Sequence, residues 1–424
     1  MRPAHQPRGR CRWQRRPPSG GGPRPALLLI LCVPLLAGAC GHGLAPGVAP
    51  SHPDGFDFRR PPCEPAPRPP EAGAPWRPAE ADGEAGEAVV LRYLGAGGLY
   101  VGWRGEGLLV GPFFSNPDLW EVVFGRIRWR RGEIVRGLRG TAPARVGAIL
   151  AGHSHYDHLG DVPFIARRLA PRARLYLNDA GRTSLEPFPD LVGRTTVLEA
   201  EQGRWVLLAD ATGRPLPVRL RAVPSNHAPH FGPITLWTGE PRSSRRPWSR
   251  RGYGALRAGK PFALVLDLLD SPAPDAPVRF RILVHDSAAD ARRAADGIPP
   301  AELDGAPYDL AMVCMASAHL VTGYPETLLE AIRPAHMLVT HYEDFFTSRI
   351  RDRGFVPLLT PGRARAFLDR AGRALRESGR PLRGPVRESC GPSAPGWTMP
   401  LPGEWLVFRP STLSVPDDAK ERGR

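Results

Sequence analysis

His153-Ser154-His155-Tyr156-Asp157-His158-Leu159-Gly160-Asp161 sets three histidines and two aspartates within nine residues. Upstream, Val146-Gly147-Ala148-Ile149-Leu150-Ala151 is short, apolar and closed by Gly152, which predicts a buried strand. Downstream, Val162 to Leu169 predicts a helix, with Asp161 as its N-cap and Pro163 in its first turn. The cluster therefore falls on a strand-to-helix loop, where an α/β sheet presents its chemistry. His153 and His155 are two apart, so an extended loop turns both toward one cation. Asp157 and His158 follow as the chain enters the helix, within reach of a second cation. Imidazole nitrogens with a carboxylate suit Zn²⁺, and would also hold iron or manganese.

This pattern resembles the His-x-His-x-Asp-His signature of the metallo-β-lactamase superfamily. The resemblance implies an α/β fold, the four-layer αββα sandwich, with one or two metals at the sheet edge. It also implies where further ligands fall. Val218-Arg219-Leu220-Arg221-Ala222-Val223 alternates as a half-buried strand does and runs into Pro224-Ser225-Asn226-His227-Ala228-Pro229-His230. The family takes its third first-site ligand just after such a strand, which implies His227, with His230 as the alternative ligand or else a pocket residue. Phe280 to His285 predicts a strand ending in Asp286-Ser287, and the family's bridging aspartate falls on Asp286. Met337-Leu338-Val339-Thr340 leads to His341, the implied second-site ligand. The implied set is thus His153, His155 and His227 for one metal, Asp157, His158 and His341 for the other, with Asp286 between. Two such cations would share a water and lower its pKa toward about 7. The resemblance therefore implies metal-assisted hydrolysis, with Asp157 and Asp286 as the catalytic carboxylates. His319, alone in a loop, is a candidate to face substrate. One departure is visible: family members commonly carry a supporting aspartate after the last opening strand, and here that place is Gly111.

The chain around this domain reads as export machinery. Residues 1–39 hold seven arginines and no acidic residue, with an eleven-residue apolar run from Ala26 to Leu36, too short to span a bilayer and suited to a signal peptide. The run ends in Leu36-Ala37-Gly38-Ala39-Cys40, which resembles a bacterial lipoprotein box with Cys40 as the acylated residue; Ala37-x-Ala39 also suits ordinary signal cleavage. Residues 40–87 are rich in Pro, Gly and Ala and predict an extended tether, which leaves 88–424 for the hydrolase domain. An exported, membrane-anchored protein of the cell envelope is expected. The net charge is +15 for the whole chain, and removing the leader's seven arginines (15 − 7) leaves +8. With no nucleic-acid-binding motif beside it, that charge points to anionic surfaces or substrates. Cys314 sits in an apolar run and reads as a buried thiol, while Cys63 and Cys390 flank the domain and are placed to pair in an oxidising compartment.

Within the domain, Val89–Leu94, Leu99–Val101 and Gly107–Val110 predict opening hairpins. Residues 116–141, with Trp120, Trp129 and several arginines, predict either a pocket wall or an amphipathic surface segment. Ile234–Thr238 and Phe262–Asp267 predict a pair of strands. The insertion between them, 242–260, carries Arg245, Arg246, Arg250, Arg251 and Arg257 with Trp248 and Tyr253, and reads either as a solvated loop or as a flap for an anionic group. Pro112-Phe113-Phe114-Ser115, Asp309-Leu310-Ala311 and Thr340-His341-Tyr342 with its aromatic pair resemble the superfamily branch of ascorbate-phosphate lactonases and the N-acylphosphatidylethanolamine phospholipase D. That likeness implies a phosphodiester or lipid-like anionic substrate. The competing readings are a lactone, thioester or β-lactam hydrolase, and a non-catalytic binding lipoprotein.

Overall fold

Two β-sheets stack face to face in this computed structural model, which describes residues 88–289, 306–347, 354–386, 391 and 393–410. The signal segment, the tether, Cys40, Cys63 and Cys390 lie outside the described residues. The strands are β1 (Val89–Gly95), β2 (Gly98–Trp103), β3 (Glu106–Val110), β4 (Val146–Leu150), β5 (Arg174–Leu177), β6 (Thr195–Val197), β7 (Trp205–Ala209) and β8 (Pro215–Pro224). They continue with β9 (Phe262–Leu269), β10 (Val278–His285), β11 (Leu310–Cys314), β12 (His336–Thr340), β13 (Ser393–Ala394), β14 (Trp397–Thr398) and β15 (Trp405–Phe408). The first sheet has the order β15-β1-β2-β3-β4-β5-β6 and the second β13-β14-β12-β11-β10-β9-β8-β7.

Each sheet begins antiparallel and turns parallel toward the middle of the chain's path. β3, β4, β5 and β6 are parallel, as are β10, β11 and β12. Parallel strands are covered on both faces, and β4, β11 and β12 are accordingly buried throughout, with only His336 and Thr340 at the ends of β12 polar. Alternation then sorts their side chains into two cores. Ala148 and Leu150 point between the sheets, where they meet Leu220, Leu266, Ile282 and Leu338. Ile149 and Ala151 point outward with Ile165, while Val339 does the same with Leu329 and Leu375. Helices Val162–Arg168, Glu326–Ile332 and Pro361–Glu377 supply those outer layers, so the order is helix, sheet, sheet, helix. The tail returns to the sheets: β15 pairs with β1 and β14 with β12. Among the described residues no helix is long and apolar enough to cross a membrane.

Two polar devices sit inside this apolar frame. Trp103, buried between the sheets, donates its indole N–H to Leu269 O at 2.8 Å and so ties β2 to β9. Arg281 and Asp267 are both fully buried and paired by two hydrogen bonds, Nε to Oδ1 at 2.6 Å and NH2 to Oδ2 at 2.9 Å. Arg219 Nε donates to the same carboxylate at 2.9 Å; burying any of these charges unpaired would cost several kcal/mol, so each is tolerated because of its partners.

The expected strand at Ile234–Thr238 does not form. Only isolated bridges link Phe231 to Ile234 and Gly239 to Gly259, and β9 pairs instead with β8 and β10. The cause is local: Gly232, Trp237 and Gly239 all take positive φ, and Pro233 has no N–H to give a ladder. Apolar content at the right spacing was present, but the backbone cannot stay extended.

Candidate metal centre

All seven residues of the expected ligand set meet at one edge of the sandwich. Their donor atoms form three overlapping groups, each with its atoms within 4.8 Å of one another: His153–His155–His227, Asp157–His158–His341, and His153–His158–Asp286 between them. The first sheet supplies His153, His155, Asp157 and His158 from the loop after β4, in which Tyr156–Leu159 makes a single helical turn. The second sheet supplies His227 beyond β8, Asp286 beyond β10 and His341 beyond β12. The imidazoles of His153, His155 and His227 lie 4.7 to 4.9 Å apart, centre to centre, around the first group. Asp286 Oδ1 is 3.2 Å from His153 Nδ1, and its other oxygen is 3.9 Å from His158 Nδ1.

The sheets are brought to this distance by glycine. Gly152 O accepts from Phe262 N–H at 2.8 Å, a bond across the two sheets. A Cβ on Gly152 would stand 2.4 Å from Phe262 O and 2.9 Å from Asp286 Oδ2, so no other residue fits. Gly111 plays a similar part on the opposite flank. It has φ +49, and a Cβ there would stand 2.8 Å from His158 Nδ1. Where the resemblance implied an aspartate, the backbone approaches the imidazole directly.

Three imidazoles and both carboxylates carry the protonation that cations require, whereas at His341 burial is outweighed by Asp157, which shifts that ring up. Burial, together with neighbouring His153, holds His155 and His227 well below the usual imidazole range, and His158 falls to about 4, so all three are neutral at pH 7 with free lone pairs. Burial on its own would raise Asp286 and Asp157, but the surrounding histidines outweigh it. Asp286 is held at about 2, and Asp157 lies well below the usual carboxylate range. His153 Nε2, both nitrogens of His158 and Asp286 Oδ2 are buried with no hydrogen-bond partner. Such unpaired groups cost about 1–3 kcal/mol each, and cations at these positions would satisfy them. The residues present fit a pair of divalent cations.

Other groups hold this set in place; sequence reasoning gave Tyr93, Glu343 and Asn178 no role and Asp161 only that of a helix cap. Tyr93 Oη accepts from His341 N–H at 2.9 Å and donates to Glu343 Oε2 at 2.6 Å, while Glu343 Oε1 accepts from Ala96 N–H at 2.5 Å. Burial and then Glu343 push the Tyr93 phenol well up, so it keeps its proton. This chain of bonds fixes His341, whose φ of +57 is unfavourable for a histidine. A buried glutamate two residues past a ligand was the available signal. Asp161 makes no side-chain bond to the helix it precedes. Its carboxylate accepts instead from Phe114 N–H at 2.7 Å, Ser115 N–H at 2.8 Å and Ser115 Oγ at 2.5 Å, tying the Pro112–Ser115 stretch to the metal loop. Asn178 receives Ser154 Oγ and donates to Ala258 O at 2.7 Å, which links that loop to the 242–260 insertion.

The remaining candidates separate cleanly. His230 lies outside the ligand groups, stacked on His227 at 4.9 Å, and its Nδ1 accepts from Leu236 N–H at 3.1 Å. His319 lies on the short Ala318–Leu320 turn, also outside them. Cys314 is buried, and burial pushes its thiol up to about 12. In residues 116–141, Trp129 packs on Phe164 and donates to Gly160 O at 2.8 Å, whereas Trp120 and Phe124 stack on each other in solvent. The insertion is a packed segment. Trp248 is buried against Phe188 and donates to Ser184 O at 2.9 Å, and Tyr253 is buried against Tyr156.

No protein-family model and no curated protein sequence matches this chain. Among solved structures it is similar to Igni18, a metallo hydrolase from Ignicoccus hospitalis KIN4/I, at 15% identity over 76% of this chain and 99% of that one, with a TM-score of 0.42. It is similar to CmlA, a diiron β-hydroxylase from Streptomyces venezuelae, at 14% identity, TM-score 0.41 and 76% of this chain, spanning 54% of CmlA's length. It is similar also to YhfI of Bacillus subtilis, a metallo-β-lactamase fold protein, at 11% identity over 76% of this chain and 100% of that one, with a TM-score of 0.38. At these scores, what the centre can do follows from this chain's own donor atoms.

Proposed function

We propose that this chain is a metal-dependent hydrolase of an ester-type bond, a phosphodiester foremost, using two divalent cations with zinc preferred. One observation carries the reading: seven donors from both sheets converge, with buried unpaired nitrogens, ionised carboxylates and neutral imidazoles at His155, His158 and His227. His153, His155 and His227 would hold one cation, Asp157, His158 and His341 the other, with Asp286 reaching both. Bound there, such a pair supplies Lewis-acid polarisation of the scissile group and an activated nucleophile at neutral pH.

The chain's own residues do the rest. His230 accepts at Nδ1 from Leu236, so its neutral imidazole carries the proton on Nε2 and offers a donor beside His155, 5.7 Å away centre to centre. Asp157, ionised and 3.1 Å from His341 Nε2, is placed to take up and return a proton during turnover. Tyr93 and Glu343 keep His341 from drifting. The likeness of Pro112–Ser115 and Thr340–Tyr342 to the phosphodiesterase-containing branch supports the choice of bond. The arginine-rich leader and Cys40 support export and anchoring at a membrane by lipid, with an anionic, lipid-like substrate at hand.

Metal content measured together with hydrolysis of bis(p-nitrophenyl) phosphate tests this. Two metals per chain, and turnover abolished in an Asp286→Ala, His155→Ala double variant, are expected. Bound metal with turnover only of lactones or thioesters would replace the phosphodiester. Absence of bound metal would refute the enzyme and leave a binding lipoprotein.

A further inference from the structure

The insertion encloses a second concavity, outside the metal ligands. It is a cleft of about 500 Å³ whose lining includes Arg242, Arg246, Arg250, Arg251, Arg257 and Glu240. Five guanidinium groups and one carboxylate give the lining a net charge of +4. Arg251 is buried and committed to the loop itself, donating from Nε to Arg246 O at 3.1 Å and from its terminal nitrogens to the carbonyls of Ser184 and Ser244. Glu186 is spent on the same loop, accepting from Ser243 Oγ at 2.8 Å and Ser244 N–H at 2.6 Å. Among the described residues Arg242, Arg246, Arg250 and Arg257 have no carboxylate partner. Like charges crowded around one hollow repel one another, and the fold nonetheless holds them there with a buried scaffold.

The cleft adjoins the metal centre at Trp237. Trp237 O lies 3.4 Å from His155 Nε2. On its other side the indole of Trp237 sits against Gly254, a wall of the cleft, where a Cβ would stand 2.5 Å from Trp237 Nε1. The same lobe carries an exposed apolar pair. Helix Leu119–Phe124, bearing the stacked rings of Trp120 and Phe124, is followed by Ile127, whose N–H donates to Arg251 O at 2.9 Å.

We propose that this cleft is a subsite for a phosphate-type oxyanion, seating the anionic group of the substrate beside the metal centre; it rests on the hydrolase reading. A single carboxylate would leave most of the charge uncompensated. A phosphate group carries up to two negative charges and several acceptor oxygens, which match the planar forks of several arginines. The exposed aromatic pair suits an apolar portion of the same molecule.

The test is calorimetric titration of inorganic phosphate into the metal-loaded full chain, an Arg246→Glu/Arg250→Glu variant and the Asp286→Ala variant. Both arginines are solvent-exposed, and unchanged metal content and melting temperature would verify the fold; Arg246→Gln/Arg250→Gln serves as a milder pair. Weakening of phosphate binding by at least 10-fold on charge reversal, with binding kept in Asp286→Ala, is expected. Equal affinity in the charge-reversed protein and the wild type, or loss through Asp286→Ala alone, would overturn the proposal, since phosphate would then sit elsewhere or on the metals. Sedimentation with phosphatidylglycerol vesicles, against phosphatidylcholine alone, identifies the source. Wild-type binding lost in the variant assigns a lipid headgroup, and no vesicle binding beside intact phosphate binding assigns a soluble ester. Binding is read without turnover, so a chain that binds phosphate here and hydrolyses nothing would refute the hydrolase reading separately.

Discussion

The two sheets contribute to the metal centre in opposite ways. The first gives four donors from one loop of six residues, His153 to His158, so their relative placement is fixed by local backbone geometry. The second gives three donors from three strand ends, His227, Asp286 and His341, separated by 59 and 55 residues. Those positions are fixed by strand register, by the Gly152–Phe262 contact between sheets and, at His341, by the bonds to Tyr93 and Glu343. A loop can be read from its spacing. Three strand ends become neighbours only after the sheet has formed.

Variants on the two sides should therefore fail differently. The largest effect is expected for Asp286→Ala, which removes the carboxylate set with His153 and His158 between the two groups. Turnover should fall by about 10³-fold or more, and metal content should drop at both positions. His341→Ala should cost one metal only, and elemental analysis of the two proteins together would break the comparison if their losses were equal. Asp267→Ala takes the buried carboxylate from the fully buried Arg281 and should cost about 3–5 kcal/mol in urea unfolding. Its metal stoichiometry should stay intact if the second sheet's register survives.

Tyr93→Phe should reveal how far the strand-end ligands depend on support. Loss of the hydroxyl that receives His341 N–H and serves Glu343 should weaken the second metal about 10–100-fold in competition with a chelator. Retained affinity would show that register alone holds His341. The smallest effect is expected for His230→Gln. Both metals should remain, with kcat lowered about 10-fold in steady-state kinetics if its Nε2–H meets the substrate.

Much of the scaffold was legible because the local rules and the tertiary environment agreed. β4, β8, β10 and β12 read as apolar or alternating runs, and each delivers its histidine or aspartate at the end where the chain leaves the sheet. The resemblance ordered the ligands. It did not supply Glu343, Tyr93 or Asp161, whose importance lies in hydrogen bonds across 250, 248 and 47 residues. Nor did apolar spacing distinguish Ile234–Thr238 from a strand, because it is blind to the positive φ that Gly232, Trp237 and Gly239 adopt. In the insertion, the arginines announced the charge, but only the fold shows Trp248 and Tyr253 turned inward and a hollow left between the guanidinium groups.

By itself, then, the sequence determined the donor types, the chemistry they suit and the loop that presents four of them, since spacings of one to five residues are governed by backbone geometry. The tertiary structure alone decided that the separate strand ends carrying His227, Asp286 and His341 come to one edge, with Asp286 beside His153 and His158 and with His230 left outside the donor groups. It also decided that a charged cleft stands one tryptophan away. Those outcomes depend on the stacking and register of two sheets, which no short stretch of chain encodes.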